Sequence, residues 1–254
     1  MDMLFDLPQV SLGKKIRLVT LFSGIGSQEM ALRDIGADFE IHRMVEFDKF
    51  AVKSYNAVHG TSFDVSDVRD VHASDLAIVD TDEYDYVMFY SFPCTSLSVA
   101  GKMEGMREGS GTASSLLWEV KRIISEMSED ELPKVLVMEN VPQVHADKNI
   151  SEFNRWLDFL RERGYYSYWQ DLNARDFGIP QNRNRCICVS IRSDSFVDFE
   201  FPKAIPLKYR MRDFLERNVD EKYFINSDKA KELIGRLLKD GLLENTGGAQ
   251  ERLC

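Results

Sequence analysis

The chain has 254 residues, 44% hydrophobic and 29% charged, which describes an ordinary globular protein of one large domain, or one with a small appendage. Its 32 Lys and Arg against 42 Asp and Glu give a net charge of −10, which excludes the overall basic footprint of a free-standing nucleic-acid binder but leaves local patches open. No apolar run approaches the ~20 residues of a membrane span, residues 1–6 lack the start of a signal peptide, and four cysteines without a paired framework point to a reducing cytoplasm.

Residues 15–22 read as a first strand, Ser23-Gly24-Ile25-Gly26 as a tight turn, and 27–35 as a helix with Met30, Ala31 and Ile35 on its inner side and Gly36 near its end. A strand, a glycine turn and a helix N-terminus suit a nucleotide-like ligand, because glycine admits close backbone approach. Glycine used only for its φ freedom makes the same pattern. Residues 40–47 read as the second strand, ending in Glu46-Phe47-Asp48, and Asp48 is placed to cap a helix over 49–59. An acidic residue about 20 positions after a glycine turn is where such folds put a ribose-hydroxyl acceptor, and an aromatic beside it can stack on adenine. A short acidic stretch, 64–71, follows.

Residues 86–90 form a short aromatic-rich apolar run, as a buried strand would. It ends in Ser91-Phe92-Pro93-Cys94, so a thiol sits where strand becomes loop, after a proline that restricts the backbone. A free cysteine is also at home as a small buried hydrophobe. The loop over 95–112 is rich in glycine and serine, and a structureless loop of that length is often functional. Leu116, Leu117, Val120, Ile123, Ile124 and Met127 then repeat at helical spacing as core. Residues 133–142 make another buried strand, ending on Glu139, and Phe153, Trp156, Leu157 and Leu160 mark the next amphipathic helix, closed by Gly164. Residues 165–172 and 185–191 read as paired strands flanking a turn that bears Arg183 and Arg185. Cys186 and Cys188 alternate on one face there, but two ligands alone make a weak zinc case, and no metal site is expected.

Strands alternating with helices imply a doubly wound, mostly parallel α/β sheet of Rossmann-like type, in which ligands bind at the strands' carboxyl ends. Glu46, Cys94 and Glu139 all fall at such ends. The expected organisation is a catalytic, cofactor-binding domain over 1–195 and a C-terminal extension over 196–254.

These residues resemble the DNA cytosine-5 methyltransferases. Phe22-Ser23-Gly24-Ile25-Gly26 is similar to that family's cofactor loop, and Glu46-Phe47 to its ribose-and-adenine pair. Asp67-Val68 resembles the acidic contact to the adenine amine, with Asp64-Val65 as a competing alignment. Phe92-Pro93-Cys94 resembles the nucleophile motif, Glu139-Asn140-Val141 the acid motif, and 181–185 the arginine motif. Order and spacing agree over roughly 16–191, and all the motifs in sequence are highly specific where any one is weak.

The resemblance implies an enzyme that transfers a methyl group from S-adenosylmethionine to cytosine C5 in duplex DNA. Cys94 would be the nucleophile at C6, Glu139 would meet the N3 edge of the base, and Arg183 and Arg185 would orient Glu139. Phe22, Ser23, Gly24, Gly26, Glu46, Phe47, Asp67 and Pro93 would hold the cofactor. The target base must leave the helix stack. The 95–112 loop would close over it, with Ser98 and Lys102 as DNA contacts. Where the family often carries an arginine beside the loop's Gly-Thr pair, this sequence has Ser110 and Ala113, and Lys102 or Arg107 would have to compensate.

A second departure follows residue 191. Residues 209–219 resemble the approach to the family's recognition domain, Ala230, Leu233, Ile234, Leu237 and Leu238 form one amphipathic helix, and no recognition domain or returning motif is found. That pattern resembles the first subunit of a split enzyme, from a prokaryote or phage, with a second subunit as partner. A truncated chain or a decayed gene would look the same. Self-association through an exposed apolar patch is a further expectation. Two alternatives stay open: a non-catalytic decoy that holds cofactor or partner, and a tRNA cytosine-5 methyltransferase.

Overall fold

The computed structural model describes residues 12–97, 104–216 and 218–241. Two compact units divide between Leu207 and Lys208.

The first unit is built on a six-stranded sheet. Strand β1 (Lys15–Leu21) pairs in parallel with β2 (Phe39–Val45) on one side and β3 (Tyr84–Tyr90) on the other, and β3 pairs in parallel with β4 (Val135–Asn140). The edge is an antiparallel ribbon in which β6 (Asn184–Arg192) lies against β4 and β5 (Tyr165–Asn173) against β6, for the order β2-β1-β3-β4-β6-β5. Leu18, Val19, Leu21, Met88, Tyr90, Leu136 and Met138 are excluded from solvent. Near-continuous apolar runs are what strands covered on both faces require.

Register decides where chemistry can collect. Leu21 pairs with both Val45 and Tyr90, and Tyr90 pairs with Met138, so β1, β2 and β3 end in one row and β4 runs two residues past it. The residues that follow are Phe22, Glu46, Ser91 and Glu139. Because the chain passes from β1 to β2 on one side and then returns to β3 on the other, a crevice opens above the ends of β1 and β3, where open α/β sheets bind ligands.

Helices α1 (Ser27–Asp34), α2 (Lys49–His59), α3 (Ala73–Leu76), α4 (Leu117–Glu126) and α5 (Ile150–Glu162) complete this unit. Helix α2 has the expected bounds and cap: Asp48 accepts from the backbone N–H of Phe50 at 2.7 Å. Helix α4 buries Leu117, Val120, Ile123 and Ile124 as its spacing requires, while Leu116 is only partly covered. Phe153, Trp156 and Leu160 form the inner stripe of α5, and the Trp156 indole N–H donates to the Tyr90 hydroxyl at 3.1 Å.

Helix α1 departs from expectation. Ala31 is exposed, Ile35 lies past the helix end at 77% exposure, and Met30 is only half-buried. The one buried side chain of α1 is Glu29, whose Oε1 accepts from the Tyr55 hydroxyl at 2.5 Å and the Thr20 hydroxyl at 3.3 Å. Two polar partners beneath a helix of eight residues outweigh a weak apolar periodicity, so the carboxylate faces inward. Its Oε2 is buried without a partner.

In the second unit, α6 (Asp228–Lys239) is capped by the Ser227 hydroxyl, which accepts from the Ala230 N–H at 3.3 Å. None of its described side chains is buried. No helix of the described residues is long and apolar enough to cross a membrane.

Candidate active site

A cleft of about 460 Å³ occupies the crevice. Among its lining residues are Phe22 from the end of β1, Glu46 and Phe47 after β2, Asp67, Val68 and Arg69 from the next connection, Ser91 and Pro93 after β3, and Gly111 and Thr112 from the long loop. Five of the eight expected cofactor residues therefore share one cavity: Phe22, Glu46, Phe47, Asp67 and Pro93.

The other three do not line it. Ser23 is buried, with its hydroxyl 2.7 Å from Thr20 Oγ1 and 2.9 Å from Thr20 O, so it pins the turn to β1. Gly24, at φ 58, donates its backbone N–H to Glu46 Oε2 at 2.8 Å. A Cβ on Gly26, at φ 80, would stand 2.2 Å from His59 Nε2 and 2.9 Å from Glu29 Oε2. A side chain at Gly26 would be strained by the backbone's positive φ, and the His59 ring and Glu29 carboxylate would have to shift to admit it.

Glu46 is gripped from both sides: Oε2 by Gly24 and Oε1 by the Asp48 N–H, each at 2.8 Å. A carboxylate oxygen accepts more than one hydrogen bond, so both keep capacity for hydroxyl donors of a ligand. Phe47 beside it is 68% exposed at the cavity wall, an open aromatic face. Asp67 lines the cavity, whereas Asp64 is exposed and does not line it. The Asp67 carboxylate is engaged by the Arg69 guanidinium, with Nε at 2.9 Å, and by the Arg69 backbone N–H at 2.9 Å. That guanidinium holds the Asp67 carboxyl below the usual range. Polar acceptors at one wall, an exposed ring and a neutralised acid fit an adenosine-bearing cofactor.

Cys94 is partly exposed in the turn that follows β3. That turn is tied down twice. The Ser114 hydroxyl donates to Pro93 O at 2.6 Å, and the Asn140 side-chain amide donates to Phe92 O at 2.9 Å while its Oδ1 accepts from the Val141 N–H at 2.8 Å. Asn140, itself buried, thereby joins the thiol's turn to the strand that carries Glu139. Both arginines of β6 and its preceding turn reach the same carboxylate oxygen: Arg185 Nε lies 2.9 Å and Arg183 Nη2 3.2 Å from Glu139 Oε1. The other described cysteines differ from Cys94. Burial pushes the Cys186 thiol well up and the Cys188 thiol to about 12, so neither is a nucleophile near neutrality.

The long loop is anchored rather than structureless where it is described. Leu97 and Met106 are buried, the Gly105 N–H donates to Ser96 O at 2.9 Å, and the Trp118 indole N–H donates to Met106 O at 2.7 Å. Ser98 and Lys102 lie outside the described residues. Three contributors escaped sequence reasoning: Arg69, Asn140 as a brace, and the Glu29–Tyr55 pair under the glycine turn. Arg69 was legible in principle, two positions after an acid that needs a partner. A polar hollow of about 330 Å³ lined by Lys14, Asp85, Lys134 and Arg192 holds none of the expected site residues.

Fold and site together define a class, the S-adenosylmethionine-dependent methyltransferases. Solved structures agree on the fold: the Dnmt2 methyltransferase of S. pombe matches 88% of this chain and 66% of its own at a TM-score of 0.65 and 20% identity. The Entamoeba histolytica methyltransferase EhMeth matches 91% and 67% at a TM-score of 0.66 and 20% identity. The chain belongs to the C-5 cytosine-specific DNA methylase family, whose model matches residues 16–241. Its relatives include the type II methyltransferase M2.ScrFI of Lactococcus lactis subsp. cremoris, 33% identical over 85% of this chain and 72% of the relative. Another is the orphan methyltransferase M.SPRI of Bacillus phage SPR, 32% identical over 91% and 57%. The chain thus spans between about half and three-quarters of its relatives' lengths. The family acts on DNA, with S-adenosylmethionine as methyl donor.

Proposed function

We propose that this chain methylates cytosine C5 in duplex DNA through a covalent adduct on Cys94. The observation that supports the reading is that Arg183 and Arg185 both hold Glu139, whose neighbour Asn140 bonds the turn that carries Cys94, while Pro93 of that turn lines the cleft. Cytosine C5 is a poor nucleophile, so the Cys94 thiolate adds to C6 of an extruded base and turns C5 enamine-like. Glu139 Oε1 carries both arginines, which leaves Oε2 as the oxygen that meets the N3 edge and shares a proton there. Arg183 and Arg185 hold the carboxylate in place and offset charge developing on the ring. Phe22, Glu46, Phe47, Asp67 and Pro93 would hold S-adenosylmethionine, which would supply the methyl group to C5 and leave as S-adenosylhomocysteine. Loss of the C5 proton to a base then expels Cys94 and restores the ring.

Duplex DNA carrying a 5-fluorocytosine should give a denaturation-stable adduct with the wild-type chain plus cofactor, and none with Cys94→Ser. No adduct with any duplex, in the presence of any complementing chain, would favour a non-catalytic cofactor binder. Faster transfer to RNA than to duplex DNA would overturn the choice of acceptor.

A second chain that supplies target recognition is favoured by one observation. Among the described residues from Lys208 to Gly241 no side chain is buried, and Met211, Phe214, Tyr223 and Ile225 are each more than 60% exposed. Apolar surface of that kind is normally covered by a partner or a further copy. If the chain alone, as a monomer, methylates one defined sequence efficiently, this reading fails. Bacterial and phage relatives, together with free thiols at Cys94, Cys186 and Cys188, support action in a reducing cytoplasm.

A further inference from the structure

Behind the catalytic row, on the opposite face of the sheet, lies a cluster that the methyl transfer does not use. Side chains alternate along a strand, so Arg185 points to the face of Glu139 while Cys186 points to the face covered by α4 and α5, where it is fully buried. Asp171 stands opposite Cys186 in the β5–β6 ladder and Asn140 opposite it in the β4–β6 ladder. The 3-10 turn Pro142–His145 that follows β4 brings His145 over the same spot. His145 Nε2 is 2.9 Å from Asp171 Oδ1, and one donor atom from each of His145, Asp171 and Cys186 lies within 4.8 Å of the other two.

We propose that His145, Asp171 and Cys186 form a zinc site with three protein ligands and one position open to water. Imidazole nitrogen, carboxylate oxygen and thiolate sulfur suit a borderline-soft ion; calcium and magnesium take oxygen sets instead. Zinc bonds of about 2.0–2.3 Å place tetrahedral ligand atoms roughly 3.3–3.8 Å apart, so a pair at the 4.8 Å limit closes by about 1–1.5 Å while the His145–Asp171 pair, at 2.9 Å, opens slightly. Charge also balances: one divalent ion with a thiolate and a carboxylate is neutral, which suits a site with one fully buried ligand. On binding, the Cys186 thiol proton leaves to solvent and the imidazole proton moves from Nε2 to Nδ1. The turn is already fixed for this role, because Val144 is buried, the Asn149 amide donates to Gln143 O at 2.8 Å, and Trp169 packs against the His145 ring at 4.6 Å. An entry path exists, since the Asp171 side chain is 32% exposed. The ion would staple the turn after Glu139 to the hairpin that delivers Arg183 and Arg185.

The test is a cobalt titration of the whole chain, purified with a thiol-free reductant. The expected result is a sulfur-to-cobalt charge-transfer band and tetrahedral visible bands that saturate at one equivalent, with quenching of tryptophan fluorescence. Cys186→Val and His145→Ala should remove these bands, and Cys94→Ser should keep them. One equivalent of zinc should raise the Tm of the wild type and not that of His145→Ala, whose partly exposed position makes it the variant to rely on if Cys186→Val fails to fold. No thiolate band in the wild type, a band that survives Cys186→Val, or an equal Tm rise in His145→Ala would each overturn the proposal.

Discussion

Glu139 shows how much work one oxygen can be given. Both arginines converge on its Oε1, so removing either leaves the carboxylate in place but less firmly aimed. Arg185→Lys, which cannot reproduce the Nε contact, should lower kcat by about 10²–10³-fold, the usual loss when a preorganised donor is removed. Its affinity for S-adenosylhomocysteine, read by calorimetry, should not change. Glu46→Ala should do the opposite, weakening that affinity above all; unchanged affinity would show that the cofactor lies elsewhere. Cys94 and Glu139 stood out in the sequence as reactive side chains at the ends of apolar runs, whereas Arg183 and Arg185 were singled out only by their resemblance to a family motif; the structure adds that both reach Glu139. Glu29 was not, because its neighbours Met30 and Ala31 offered an apolar face that a two-turn helix did not use. Tyr55→Phe, which strips the phenol from that buried carboxylate, should cost about 1.5–3 kcal/mol in urea denaturation.

The strands were legible to within two residues and α2 without error, since the Asp48 cap and Gly60 at its end are local signals. What joins elements across the chain was not legible, and His42 on β2 is an example. Its Nε2–H faces the carbonyls of Leu76 and Ala77 at 3.0 Å each, closing the end of α3 onto the sheet. Burial holds its pKa below the ordinary 6.5 despite those carbonyls, with Arg43 adding in the same direction. The unfolded chain therefore takes up this proton first. Its contribution is full above pH 6.5 and is lost as the pH falls through the window between 6.5 and the depressed folded value. Thermal unfolding of His42→Gln should show a shallower fall in Tm across that window than the wild type does; an identical fall would remove His42 as the cause.

At the scale of the molecule, −10 net charge sits beside a site that must meet a polyanion. The chain alone should bind duplex DNA weakly, with a shallow dependence on salt, because few phosphates are neutralised. Fluorescence anisotropy across a salt series measures that slope, and a steep one would mean a basic surface gathered despite the total. The doubly wound sheet was legible from the alternation of elements. The exposed apolar surface after Lys208 was legible only as one amphipathic helix, because periodicity shows that a face is apolar but not whether anything covers it.

The alternation of Arg185 and Cys186 on β6 has a consequence for how the protein reaches its working form. A slip of one residue between β6 and β4 would drive the Arg185 guanidinium into the packed face under α4 and α5 and leave the Cys186 thiol against Glu139. Burying an unpaired guanidinium is costly enough that a slipped chain gains little from completing its core. The hairpin is thus self-checking: a chain whose edge ribbon has zipped in the wrong register stays open to refolding, or to proteolysis, before it can pass as an enzyme.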